Sequence, residues 1–179
     1  RAGGENHVLS SEALRDALRE RHPAHAATLE RDALPSLRHT IDPGNTRTFT
    51  LVPVFTEHAG RFAASLLRVL VDRADASPAA PDLTAAQRAA LDALEDVAED
   101  PALYATVRLA AGDVLLLNNW TTFHRRTAFE DDPDPARRRH LLRIWLSTPN
   151  SRPLDARFAE HFGATAAGAL RGGLSPLGS

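Results

Sequence analysis

The chain lacks three common residue types. It has no cysteine, which excludes disulfides and thiolate metal sites. It has no methionine, not even at position 1, which suggests a piece of a longer protein. It has no lysine, so all 21 of its Lys and Arg positions are arginine, which is typical of a GC-rich genome and does not indicate a function. No apolar run approaches the length of a bilayer span, and a net charge of -2 gives no general attraction to nucleic acid or membranes.

The remaining composition is that of an ordinary globular protein. Hydrophobic residues make up 43% and charged residues 25% of the 179 positions. This length suffices for one domain with a real core. We therefore expect a single domain over residues 1–179, with a cytoplasmic location as the default, no nucleic-acid or membrane partner, and the oligomeric state left open.

Helix signals lie at three places. Ser10 and Ser11 are N-cap candidates for a first helix, which Pro23 should end. A second short helix is predicted over residues 24–31. Residues 84–87 form a capping-box pattern that opens an amphipathic helix. Its predicted inward face carries Leu91, Leu94 and Val97.

Strand signals are more numerous than helix signals. We predict a strand over 46–55, a hairpin loop at 56–60 and a returning strand or irregular segment over 61–72. Further strands are predicted over residues 105–109, 114–117 and 139–147. Because strands and helices do not alternate as βαβ units, the pattern favours a mainly β sandwich or barrel with helical insertions.

One histidine and two arginines carry the functional signal. His124 follows an apolar strand, and Arg139 and Arg143 share one face of the predicted last strand. Two guanidinium groups on a half-buried face favour the binding of an anion, because arginine is rarely buried without a partner. The pattern suggests a metal ligand facing an anion clamp.

Simpler interpretations stay open at this point. The arginines follow an acidic stretch at 130–134, so a solvated loop with surface ion pairs explains part of the pattern. A lone histidine near a strand end, such as His124, is more often a hydrogen-bonded structural residue than a ligand, because a metal site needs several ligands together.

Two segments resemble a known family. Residues 118–129 (NNWTTFHRRTAF) and 139–146 (RHLLRIWL) are similar to the C-terminal signature of the TauD/TfdA, or taurine dioxygenase and clavaminate synthase-like, family. Its members are non-haem Fe(II), 2-oxoglutarate-dependent oxygenases. The opening residues 3–11 and the closing residues 171–173 also match, so the resemblance spans nearly the whole chain.

The resemblance implies a fold and a set of roles. The fold would be a double-stranded β-helix, a jelly-roll barrel with helical insertions. His124 would be the distal histidine of a two-histidine-one-carboxylate Fe(II) site. Arg139 would bind the distal carboxylate of 2-oxoglutarate, with Arg143 near the proximal carboxylate, and Asn6 would also touch this co-substrate. The substrate would be a small polar metabolite, such as an amino acid or natural-product intermediate, most readily hydroxylated, with desaturation or halogenation as other outcomes.

One departure from the family pattern matters. No histidine is followed two residues later by Asp or Glu, the pair that supplies the family's other two ligands. We expect this pair upstream of Arg1, which would make the fold incomplete at its N-terminus. If no such pair exists, the alternative is a degenerate, non-catalytic jelly roll that keeps the carboxylate clamp without the metal. A third hypothesis is a metal-independent barrel in which His124 is structural.

Overall fold

The computed structural model describes residues 3–37, 48–138 and 140–171. Within these ranges the chain forms small antiparallel sheets and helices. The strands are β1 (Asn6–Ser10), β2 (Ala33–Leu37), β3 (Phe49–Pro53), β4 (Phe55–His58), β5 (Arg61–Ala64), β6 (Tyr104–Val107) and β7 (Thr122–Arg126). The α-helices are α1 (Ser11–Arg21), α2 (Pro23–Arg31), α3 (Arg68–Asp75), α4 (Ala85–Ala98) and α5 (Ala159–Phe162), and short 3-10 helices cover Pro135–Arg137 and Ala156–Phe158.

A three-stranded antiparallel sheet joins the beginning of the chain to its last third. Strand β1 lies in the centre, with β6 and β7 on either side. Pairing continues before β1, where the Gly4 N–H donates to the Ala128 carbonyl at 3.1 Å and Gly3 forms a bridge with Phe129. The central strand thus fixes the register of both neighbours.

The other two sheets are hairpin-like pairs. Strand β2 pairs with β3, and β4 pairs with β5.

The predicted strand over 46–55 is interrupted after Pro53, and residues 46 and 47 lie outside the described residues. The predicted loop over 56–60 is shorter than expected: β4 runs to His58, and the turn is Ala59-Gly60, both with positive φ. Such φ values match a two-residue hairpin turn, whose twist suits the flanking strands. The segment 61–72 divides into β5 and the start of α3.

Local helix signals are confirmed. The Ser10 hydroxyl accepts from the Ala13 N–H at 3.3 Å and caps α1, and Pro23 occupies the first turn of α2. The capping box of α4 is complete: the Gln87 N–H donates to the Thr84 hydroxyl at 3.2 Å, and the Thr84 N–H donates to the Gln87 side chain at 3.0 Å.

The main core forms where α1, α2 and α4 pack against β1, β2 and the β4–β5 pair. The predicted inward residues of α4 are buried, with Leu91 at 0% and Leu94 at 2% exposure. A second, smaller hydrophobic cluster includes residues from the last third of the chain. It consists of Val52, Ala63, Leu154 and Phe158, with Trp120 and Phe162 packed against it. These two clusters hold the three-stranded sheet and the entry to β7 in place.

Two predicted strands are wrong. Residues 114–117 and 140–147 form no regular strand, and most of their large apolar side chains are exposed. Val114 is 80%, Leu142 84% and Ile144 77% exposed. A strand needs a neighbouring strand to satisfy its backbone N–H and C=O groups, and no described strand pairs with either segment. The apolar pattern of these segments is compatible with a strand, but it does not indicate whether a neighbouring strand is present to pair with it.

The described residues contain sheets and helices but no closed barrel. The predicted fold class, mainly β with helical insertions, is thus confirmed only in part. The double-stranded β-helix stays a prediction. Among the same residues, no helix combines the length and apolarity that crossing a bilayer requires.

Candidate functional site

His124 lies on an edge strand of the three-stranded sheet. Its position in β7 is directly opposite Val8 of the central strand. A turn leads into β7, in which the Thr121 N–H donates to the Asn118 carbonyl at 3.0 Å and the Trp120 N–H donates to the Asn118 side chain at 3.1 Å. The Trp120 ring packs edge-on against two phenylalanines of the second cluster. This anchored turn sets the register that orients His124.

Asn6 shares the sheet face of His124. Residues paired across neighbouring strands lie on the same face, and Asn6 is paired with Arg126, two positions after His124. Asn6 and His124 are therefore diagonal neighbours. The Asn6 side chain is buried and donates to the Val107 carbonyl of β6 at 3.4 Å. It consequently leans toward β6, on the side of β1 away from His124.

Arg143 acts electrostatically on His124. The pKa of the His124 imidazole is lowered, first because surrounding protein atoms remove part of its hydration and second because of the positive charge of Arg143. Both effects favour the neutral imidazole, which is the form that binds a metal. Arg143 itself is exposed and lies in the irregular segment after residue 140.

Arg139 lies outside the described residues, so its predicted role stays a prediction. The arginines immediately before it form surface contacts. Arg137 pairs with Asp132 at 3.2 Å, and the Arg138 side chain donates to the Asp132 carbonyl at 3.1 Å. The alternative interpretation, a solvated loop with ion pairs, is thus correct for this part of the arginine cluster.

The metal-binding capacity of the described residues is limited. Within 3–37, 48–138 and 140–171, no group of three or more His, Asp or Glu side chains is placed to hold a metal ion. His124 is one candidate ligand, and a two-histidine-one-carboxylate site needs two more. The described residues therefore do not form a complete iron site.

Arg126 also lies on the His124 face, although the sequence analysis did not single it out. It lies two residues after His124 on the same strand and so on the same face. Its guanidinium lies 3.6 Å from the centre of the Phe129 ring, within the range of a cation–π contact. Period-two alternation from His124 was the available signal.

The opposite face carries a self-contained polar cluster. The Arg125 guanidinium donates to both carboxylate oxygens of Glu99 and lies 3.2 Å from Nδ1 of His7. The His7 ring stacks on Tyr104 at 4.1 Å. Since its groups satisfy one another, this cluster strengthens the sheet and leaves the His124 face chemically distinct.

Comparison with known proteins gives two matches. The family model described as taurine catabolism dioxygenase TauD, TfdA family matches residues 1–145. The chain is also 28% identical over 164 residues to FR-33289 synthase of Streptomyces rubellomurinus (strain ATCC 31215). The aligned region covers 89% of this chain and 47% of that protein, so the chain spans about half the length of the curated relative it matches.

Proposed function

We propose, from the premise that this chain belongs to the taurine catabolism dioxygenase TauD, TfdA family, that it acts as part of an Fe(II)/2-oxoglutarate-dependent oxygenase. The reaction would hydroxylate a small polar metabolite or natural-product intermediate. One oxygen atom of dioxygen would enter the product and the other would enter succinate, while 2-oxoglutarate loses carbon dioxide. A relative named as a synthase supports a biosynthetic role.

The observation that carries this proposal is the His124 face of the three-stranded sheet. The pKa of the His124 imidazole is lowered by loss of hydration and by the positive charge of Arg143, and Asn6 lies diagonally across from His124 on the same sheet face. Neutral nitrogen ligands suit Fe(II), and guanidinium groups suit carboxylates. Together they would supply one metal ligand and one positive charge for a carboxylate of the co-substrate.

The roles proposed for individual residues concern binding and orientation. His124 would provide one metal ligand. Arg139 would bind the distal carboxylate of 2-oxoglutarate, Arg143 would lie near the proximal carboxylate, and Asn6 would contact the co-substrate.

Calorimetric titration with 2-oxoglutarate, with and without Fe(II), tests the proposal. An oxygenase should bind 2-oxoglutarate more tightly when Fe(II) is present and should release succinate. Binding whose affinity does not depend on the metal would support the second candidate, a degenerate binding module. No binding in either condition would leave a purely structural barrel.

Paired arginine variants make the same experiment specific. Arg139→Ala should weaken 2-oxoglutarate binding by roughly tenfold or more, because it removes a charge-assisted hydrogen-bond donor. Arg138→Ala is the matched control, since that side chain donates to loop carbonyls. Equal 2-oxoglutarate affinity in the two variants would contradict the role given to Arg139.

A further inference from the structure

Arg171 is the centre of a hydrogen-bond network in the last part of the described chain. Its guanidinium donates to the Arg152 carbonyl at 2.6 Å and to the carbonyls of residues 164–166. Burial lowers the pKa of this guanidinium, and no carboxylate within the described ranges pairs with it. Because its five N–H groups point outward in one plane, a guanidinium can join several carbonyls at once. Arg171 therefore ties residues 151–152 to residues 164–166.

Backbone hydrogen bonds close the same stretch of chain. The Leu154 N–H donates to the Thr165 carbonyl at 2.9 Å, and the Gly168 N–H donates to the Ser151 carbonyl at 3.1 Å. The two ends of the stretch are thus held side by side, with Arg171 bridging them. We call residues 151–171 the C-terminal clasp.

The C-terminal clasp packs against the turn that leads into β7. Two of its rings, Phe158 and Phe162, contact the Trp120 ring edge-on, with ring centres 5.4 and 4.9 Å away. Phe158 is 0% exposed, so its ring has no free space into which it could turn. Edge-on ring contacts depend on orientation, and a displaced clasp would therefore displace the indole.

The same turn is directly continuous with the strand of His124. Trp120 lies four residues before His124, and β7 begins at Thr122. Further backbone bonds hold the turn: the Trp120 carbonyl accepts from the Ala64 N–H at 2.8 Å. Since successive side chains of a strand point to opposite faces, a rotation at the start of β7 changes the direction of the imidazole.

We propose that Arg171 is a positioning residue for His124, acting through the C-terminal clasp and Trp120. The Arg171 network holds the two phenylalanine rings, these rings hold the indole, and the turn holds the start of β7. The inference rests on the proposed function, because a reacting or ligating imidazole needs a fixed orientation whereas a merely structural one does not.

The test follows the His124 ring by two-dimensional proton–carbon NMR, in the chain without added metal and at one fixed pH. Arg171→Gln should shift the His124 ring signal, because a glutamine cannot reach both ends of the clasp. Trp120→Leu should shift it as well, since it removes the ring that the clasp holds. Arg171→Lys keeps the charge without the planar fork and should give a smaller shift than Arg171→Gln.

The control is Arg88→Gln on α4, which removes an arginine that donates to both carboxylate oxygens of Asp75. It should leave the His124 signal in place, and urea denaturation shows how much stability each variant loses. A folded Arg171→Gln chain with an unmoved His124 signal would overturn the proposal, because the clasp would then only stabilise the fold. Equal shifts in Arg88→Gln would overturn it too.

Two further measurements keep the outcome decisive. If Arg171→Gln does not fold, Arg171→Lys and Trp120→Phe take its place, and unmoved His124 signals in both would refute the positioning role. Calorimetry separates this inference from the proposed function. In Arg171→Gln, the gain in 2-oxoglutarate affinity caused by Fe(II) should fall roughly tenfold. A wild-type chain that binds no 2-oxoglutarate would refute the oxygenase, while the NMR comparison would still decide whether Arg171 positions His124.

Discussion

At the scale of single residues, the His124 face depends on a glycine that makes no contact with a ligand. Gly3 has a φ of +74°, a conformation that residues with side chains rarely adopt. A Cβ atom there would lie 2.0 Å from the Ala128 carbonyl oxygen. This close approach allows the strand pairing to continue past β1 to Phe129, whose ring contacts the Arg126 guanidinium.

The role of Gly3 can be measured by the Gly3→Ala variant. We expect a fall in the free energy of unfolding that exceeds the roughly 1–2 kcal/mol of a positive φ alone, because the added Cβ would also meet backbone. Gly60→Ala is the matched control, with a φ of +67° and nothing within 4 Å of the added atom. Similar losses in chemical denaturation of the two variants would refute the steric argument.

At the scale of elements, the contrast between α4 and residues 140–147 separates two kinds of apolar pattern. Both segments are rich in apolar residues, and the sequence predicts burial of an apolar face for both. Helix α4 satisfies its own backbone and needs only a surface to pack on. The segment 140–147 would need a hydrogen-bonded neighbour as well, and among the described strands it has none.

Two leucine-to-alanine substitutions measure this difference. Leu91→Ala should lower the free energy of unfolding by about 2–5 kcal/mol, since Leu91 is 0% exposed and its loss leaves a cavity. Leu142→Ala should change it by less than about 0.5 kcal/mol, because that side chain is 84% exposed. A large loss in Leu142→Ala, observed by urea denaturation, would mean that residues 140–147 are buried in solution.

At the scale of the whole molecule, local chemistry was predictable and long-range pairing was not. The cap at Ser10, the helix boundary at Pro23 and the capping box at Thr84 follow from hydrogen bonds between residues close in sequence, and the structure confirms all three. Pairing between β1 and β7 joins residues more than a hundred positions apart. No local signal encodes that register, so the position of Asn6 diagonally across from His124 could not be predicted from neighbouring residues.

Acid stability is also a property of the whole molecule, because four scattered carboxylates contribute. The pKa values of Asp32, Asp75, Asp100 and Asp155 are all lowered. For Asp32, Asp75 and Asp155, the main cause is a hydrogen bond donated by an arginine side chain. For Asp100, the main cause is a hydrogen bond donated by a backbone N–H. Burial raises the pKa of Glu95, which contributes in the opposite direction.

The sign of the pH dependence follows from proton binding. A carboxyl group with a lowered pKa in the folded chain binds protons more readily when unfolded, so its stabilising contribution is present above the ordinary pKa of 3.8. That contribution is lost as the pH falls through the folded value. Since four lowered groups oppose one raised group, we expect the free energy of unfolding to decrease steadily from about pH 5 downward.

Urea denaturation between pH 7 and pH 3 would check this expectation, with Asp155→Asn as the informative variant. The amide introduced by this substitution would keep a hydrogen-bond acceptor for the Arg157 backbone but could not be ionised. The variant should therefore be less stable than the wild type at pH 7 and should approach it near pH 3. Asp131→Asn, at an exposed loop carboxylate, should follow the wild type throughout. A constant difference between Asp155→Asn and the wild type at every pH would show that the Asp155–Arg157 contact stabilises the fold without proton linkage.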